Sequence, residues 1–178
     1  MAKILIIASS ARVNGNSDLL AAQFLKGASE AGHQTELVHL RDYHYGFCSG
    51  CQACSKSGVC VQKDDIGILL QKMMDADTIV LSSPVYFYCV NGQMKTFLDR
   101  CVPLYGRMAN KPFYLMATAE DSNPQHIDKV FEAFEGFTCC FDGCSPLGRI
   151  YGSGADAKGE IKGTPAYEEA YNMGKNVK

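Results

Sequence analysis

The sequence is short of charge of either sign: 17 basic residues stand against 19 acidic ones, for a net charge of −2. A polyanion needs a basic surface, so the balance argues against nucleic acid and anionic membrane as partners. Long apolar runs are also missing; none approaches the roughly 18 residues of a membrane-spanning helix. Met1-Ala2-Lys3 followed by Ile4-Leu5-Ile6-Ile7 is too short for a secretory leader, so the expected location is cytoplasmic. No repeat, linker or low-complexity tract interrupts the chain. The G-x-G-x-x-G of a dinucleotide site and the GK[ST] of a nucleotide-triphosphate loop are both absent.

What is present suits one compact domain over residues 1–178, with 47% hydrophobic and 20% charged residues. A chain of this size buries roughly 70% of its unfolded surface and needs no covalent staples. The abnormal count is nine cysteines. The number is odd and no leader precedes it, so a disulfide framework is not expected.

Strands and helices alternate in the pattern. Lys3 to Ala8 is a near-continuous apolar run, the mark of a parallel strand buried on both faces. A helix follows with Leu20, Phe24, Ala28 and Ala31 on one face, stopped by Gly32. Further strands are expected at Thr35–Leu40, Thr78–Leu81, Phe113–Ala117 and Leu147–Tyr151. Asp64 precedes an amphipathic helix carrying Ile66, Leu69, Leu70, Met73 and Met74. Asn91 begins another, expected to run to Pro103, and Asn123-Pro124 and Thr164-Pro165 are cap-and-proline starts. The result is an α/β fold: a three-layer, doubly wound sheet of five parallel strands in the order 2-1-3-4-5. Its ligand crevice lies beyond the carboxyl ends of strands one and three.

Two loops meet there. Ser9 to Ser17 reads S-S-A-R-V-N-G-N-S and opens a helix. Free backbone N–H groups at that helix start favour an anion, and Ser10, Asn16, Ser17 and the Arg12 fork add donors. A monophosphate fits this loop; a capped helix with a polar surface loop is the plainer alternative. The second loop, Ser82-Ser83-Pro84-Val85-Tyr86-Phe87-Tyr88, offers three adjacent aromatics that cannot all face a core. They suit a flat heteroaromatic ring, or else packing against a helix or a second subunit. Phosphate in one loop and a ring in its neighbour describe a mononucleotide such as FMN.

The pattern from Ser10 to Ser17 resembles the phosphate loop of the NADPH-dependent FMN reductase and multimeric flavodoxin family. Ser83-Pro84-Val85-Tyr86-Phe87 through Gly92-Gln93-Met94-Lys95-Thr96-Phe97-Leu98-Asp99-Arg100 resembles that family's second flavin loop and its following helix. The resemblance covers about the first 105 residues well and the rest in outline. It implies a flavodoxin-like fold, bound FMN and a homodimer or homotetramer. It also implies that Ser83, Pro84, Val85, Tyr86 and Phe87 hold the ring, with a third contact from Thr118 and the adjoining Ala119-Glu120.

Residues 41–63 lack periodicity and carry Cys48-x2-Cys51-x2-Cys54-x5-Cys60. A structureless stretch of this length inside a compact domain is usually functional. Four thiolates at this density suggest an iron–sulfur cluster, though the ferredoxin run has x3 and then proline at its fourth cysteine. Structural zinc usually takes two C-x2-C pairs separated by a longer stretch. Free thiols or reversible disulfides are the remaining alternative. The spacing resembles that of the iron–sulfur flavoproteins, a branch of the same family. Cys101-x5-Arg107 formally matches a phosphatase loop, but it sits at a helix end and contains Pro103, so it is coincidental.

The expected activity is an FMN-dependent oxidoreductase passing electrons from NAD(P)H to an unidentified acceptor, with no essential side-chain acid or base. An electron carrier without nicotinamide turnover, and a cysteine-based redox or metal sensor, are the rivals.

Overall fold

The computed structural model describes all of residues 1–178. Five parallel strands form the sheet: β1 (Lys3–Ala8), β2 (Gln34–His39), β3 (Thr78–Tyr86), β4 (Pro112–Thr118) and β5 (Ser145–Gly152). Their spatial order is β2-β1-β3-β4-β5, the doubly wound order expected from the sequence. Five main helices cover it: α1 (Asn16–Glu30), α2 (Ile66–Asp75), α3 (Gly92–Asp99), α4 (Asp128–Thr138) and α5 (Pro165–Lys175).

Alternation along each strand divides the core in two. Leu5, Ile7, Ile79, Leu81, Phe113 and Leu115 face α2, α3 and α4. Ile4, Ile6, Val80, Tyr114 and Met116 face α1 and α5. Both sides of the central strands are covered, which is why they read as continuous apolar runs. β2 and β5 lie at the edges, and each alternates exposed with half-buried positions over most of its length.

Two expectations need correction. Pro103 does not end α3: that helix stops at Asp99, and Pro103 sits in a separate short turn, Val102–Leu104. β3 does not stop at Leu81 but continues through Ser82-Ser83-Pro84 to Tyr86. β1 pairing ends at Ser82 while β4 pairing continues to Pro84. One side of β3 is therefore open at Pro84, where a residue without an N–H is tolerated.

α1 and α5 approach so closely that neither admits a side chain at the crossing. A Cβ at Gly174 would lie 2.1 Å from the Phe24 carbonyl oxygen, and one at Gly27 would lie 2.0 Å from that of Tyr171. Gly174→Ala is therefore expected to destabilise the protein by about 1–3 kcal/mol through overpacking, despite alanine's better helix propensity. The shift in urea midpoint measures it.

Candidate functional site

At the carboxyl edge of β1, β3 and β4 lies a cleft of about 250 Å³. Its walls are Ser10, Arg12, Gly15, Asn16 and Ser17 from the first loop, Pro84, Val85 and Tyr86 from β3, Thr118, Ala119 and Glu120 after β4, and Ala155 and Asp156 after β5. The two loops singled out in the sequence do meet, at the point where the winding reverses. A roomier hollow of about 650 Å³ lies between residues 40–47 and α3, with Tyr43, Tyr45 and Phe47 on its wall. Gly92 and Gln93 at the start of α3 also line it, but Asn91 caps that helix with its side chain whereas α1 starts uncapped, so the smaller cleft is the better anion site.

The α1 terminus is built for an acceptor. Gly15 occupies the N-cap position and offers no capping side chain. The Leu19 N–H is the first to bond, to the Gly15 carbonyl, so those of Asn16, Ser17 and Asp18 have no helical partner. Ser17 Oγ is buried and makes no hydrogen bond within the protein. A buried hydroxyl left unpaired costs about 1–3 kcal/mol, so this group calls for a ligand. A Cβ at position 15 would fall 2.6 Å from Ser10 Oγ and 3.1 Å from the Arg12 carbonyl oxygen, which keeps the loop's inner wall open only for glycine. Arg12 is exposed at the rim. These features fit a phosphate group.

A network beneath the loop holds it in place. Buried Asp18 accepts from the Asn14 N–H at 3.0 Å and pairs with Arg41 at 2.8 Å, and His39 Nδ1 lies 3.2 Å away without a hydrogen bond. Arg41 Nη1 also donates to the Ser10 carbonyl at 3.0 Å. Its charge offsets a carboxylate that would otherwise oppose an anion nearby. No local pattern marks this trio, because its members come from α1, the end of β2 and the turn after it.

Two of the expected ligands have side chains engaged within the protein. Asn16 Nδ2 donates to the carbonyls of Ala155 and Ala157, and its Oδ1 accepts from the Gly159 N–H at 2.9 Å. From the cleft wall, its side chain thus fastens the loop after β5. That tether brings in Ala155 and Asp156, which sequence reasoning missed. Ser83 is fully buried; its Oγ donates to the Pro84 carbonyl and accepts from the Asn91 N–H.

The second loop is a hairpin arm, not an irregular loop. Val85 pairs with Val90 and Tyr86 with Cys89 in antiparallel register, leaving Phe87 and Tyr88 as a two-residue turn. Both have positive φ, 50° and 59°. This is the backbone of a tight hairpin turn that asparagine and glycine ordinarily supply. Tyr86 faces the cleft, half exposed. Tyr88 lies edge-on to His126 at 5.6 Å, beneath the ammonium of Lys129. Phe87 points fully into solvent and does not line the cleft, contrary to expectation.

The cysteine loop lies apart from this cleft. Cys48 and Cys51 are exposed, Cys54 and Cys60 partly buried, and all nine cysteines are free. Burial raises the pKa of the Cys54 thiol, and neighbouring Cys60, Cys51 and Cys48 add to the effect. No three His, Cys, Asp or Glu side chains converge closely enough to hold a metal ion. The four thiols are thus neighbours without forming a closed ligand set. Asp64, expected as a helix cap, does accept from the Ile66 N–H at 3.3 Å, but its main partner is Arg100, which holds its carboxyl below the usual range.

Comparisons with known proteins agree with this layout. The sequence pattern described as NADPH-dependent FMN reductase matches residues 2–132. An iron–sulfur flavoprotein of Archaeoglobus fulgidus is 30% identical over 178 residues, covering 96% of this chain and 76% of that one. One from Methanocaldococcus jannaschii is 41% identical over 102 residues, covering 57% of this chain and 53% of that relative, so the match there spans about half its length. An azoreductase from Bacillus anthracis superimposes with a TM-score of 0.76 at 15% identity, over 99% of this chain and 100% of that one, which shows the shared fold.

The hairpin turn carries a measurable cost. A non-glycine residue in the left-handed region loses about 1–2 kcal/mol, less for asparagine. Phe87 packs on nothing, so Phe87→Asn is expected to raise the thermal midpoint. A lowered midpoint would show that the aromatic is buried in the protein's working state.

Proposed function

The chain belongs to the NADPH-dependent FMN reductase family, and from that premise we propose that it binds FMN in the switch-point cleft and moves electrons from NAD(P)H to an acceptor. The observation that carries this reading is the unpartnered, buried Ser17 hydroxyl beside three free N–H groups at the start of α1. When bound, the flavin supplies the hydride and electron chemistry.

The protein's part is to bind and orient. Ser17, the α1 N–H groups and Arg12 would hold the phosphate. Pro84, Val85 and Tyr86 would border the ring on one side, and Thr118 with its successors on the other. Glu120 and Asp156 stand on the cleft wall, and their charge disfavours an anion there. This directs the phosphate toward Ser10 and Ser17.

The four-cysteine loop is the finer part of the proposal. Its spacing, the adjacency of the thiols and the names of the two relatives support an iron–sulfur cluster at Cys48, Cys51, Cys54 and Cys60. The folded loop does not present a ready ligand set. Assembly as a homodimer or homotetramer, with the bare Phe87 covered, belongs to the same reading. No helix is long and apolar enough to cross a membrane.

The test starts with protein purified without oxygen. Flavin absorption bands, FMN released by acid and steady NAD(P)H consumption are expected. Flavin without turnover would make the protein an electron carrier; a colourless protein that refuses added FMN would defeat the reading. Iron and sulfide analysis of the same sample decides the cysteines.

Two variants locate the phosphate. Arg12→Ala is expected to weaken FMN binding by about 1.5–3 kcal/mol, roughly ten- to a hundredfold. Ser17→Ala should weaken it by about 0.5–1.5 kcal/mol while leaving the flavin-free protein as stable or more so, because it removes an unpaired hydroxyl. Equal flavin affinity in both variants, measured by fluorescence titration, would move the phosphate elsewhere.

A further inference from the structure

Arg100 is the largest fully buried side chain in the protein, with 1% exposure. It follows α3, at the end of the helix away from the cleft. A buried guanidinium is costly unless every contact is good, so its partners carry information.

Those partners all belong to the two limbs of the cysteine loop. Nη1 donates to the Gly46 carbonyl at 2.6 Å and to Asp64 Oδ2 at 2.8 Å. Nη2 donates to Asp64 Oδ1 at 2.9 Å and to Cys60 Sγ at 3.4 Å. Gly46 precedes the first cysteine of the motif, Cys60 is its last, and Asp64 lies just beyond. The two limbs are also joined by the Gly46 N–H to Asp64, by the Asp65 N–H to the His44 carbonyl and by Gln62 to the Phe47 carbonyl. Arg100 is the one residue from outside the loop that grips both limbs at once. Arg107, seven residues on, donates to the Gly58 carbonyl and steadies the tip.

The other end of α3 is fixed to the base of the phosphate loop. Asn91, its N-cap, accepts from the Met94 N–H at 3.1 Å and donates from Nδ2 to the Ser9 carbonyl at 2.6 Å. One helix of eight residues, about 12 Å long at 1.5 Å per residue, therefore has its first cap bonded to the phosphate loop and its last cap bonded to the cysteine loop.

We propose that Arg100 is a positioning residue that clamps the cysteine loop onto α3, so that this helix sets a fixed spacing between the loop's thiols and the flavin cleft. The clamp rests on the observed contacts alone; only its purpose rests on the cleft taking FMN. The planar fork matters as much as the charge, because lysine cannot reach Asp64 twice, Gly46 and Cys60 together.

The test is hydrogen exchange of the amides of residues 46–60, read against the α1 and β4 amides of the same full-length protein. In Arg100→Lys, exchange in residues 46–60 is expected to quicken at least tenfold while the core amides stay within twofold. A second variant, Arg100→Met with Asp64→Leu, replaces the buried pair by apolar groups, a change often neutral for global stability. It is expected to keep the melting temperature and still lose loop protection. FMN affinity should stay within twofold in both, because Arg100 does not line the cleft. Loop protection equal to wild type in both variants would overturn the proposal, as would a uniform rise in exchange across the chain, which would assign Arg100 to core stability alone. If the wild-type protein binds no FMN, the function reading fails, yet the exchange data still decide the clamp.

Discussion

The buried amide of Asn91 is the junction on which the working end of this molecule depends. It is 2% exposed, and each of its polar atoms is committed. Its Nδ2 donates to the carbonyl of Ser9, the first residue of the phosphate loop, its backbone N–H donates to the Ser83 hydroxyl, and its Oδ1 caps α3. One side chain thus joins the exit of β1, the arm of β3 and the start of α3. A buried polar group in this position is costly if any partner is lost, so the three segments hold their arrangement together.

From that junction the chemistry follows from backbone geometry. A parallel sheet wound in both directions opens a crevice where the winding reverses, and a helix that starts there presents unpaired N–H groups. Gly15 leaves them uncapped, Ser17 adds a hydroxyl with nothing to bond, and the Asp18–Arg41 pair locks the loop from below. The hairpin arm stores backbone strain at Phe87 and Tyr88 to carry Tyr86 along the edge of the cleft. Strain of this kind persists only where surrounding contacts impose it. Here the contacts are Ser83 with Asn91 at the base and Tyr88 against His126 near the tip.

The cysteine loop obeys a different rule. It has only a single helical turn, Cys54–Ser57, and little apolar burial, so it cannot hold its shape through a core of its own. Its order comes from hydrogen bonds between its limbs and from one buried arginine. An ion pair taken out of water gains little net stability but is demanding about geometry. That trade suits a segment whose place matters more than its contribution to folding.

The strands and helices could be read from period alone, because β1, β3 and β4 are covered on both faces and so appear as continuous apolar runs. Strand order followed from the crossover rule, and the phosphate loop from its residues and its place after β1. Other features depended on contacts between segments far apart in the chain. Asn16 looked like a ligand, but the loop after β5 claims its amide from 139 residues away. Ser83 looked like a ligand as well, until β3 ran on and buried it. Phe87 looked like a ring contact, and the register of Val85 with Val90 turned it outward. The spacing of Cys48, Cys51, Cys54 and Cys60 specified four neighbouring thiols, since close spacing in sequence enforces closeness in space. Where that loop lies was decided by Arg100, 40 residues beyond Cys60, because only the folded sheet brings the end of α3 against it. Local pattern determined the elements and the types of chemistry; long-range hydrogen bonds determined which side chains were left free to perform it.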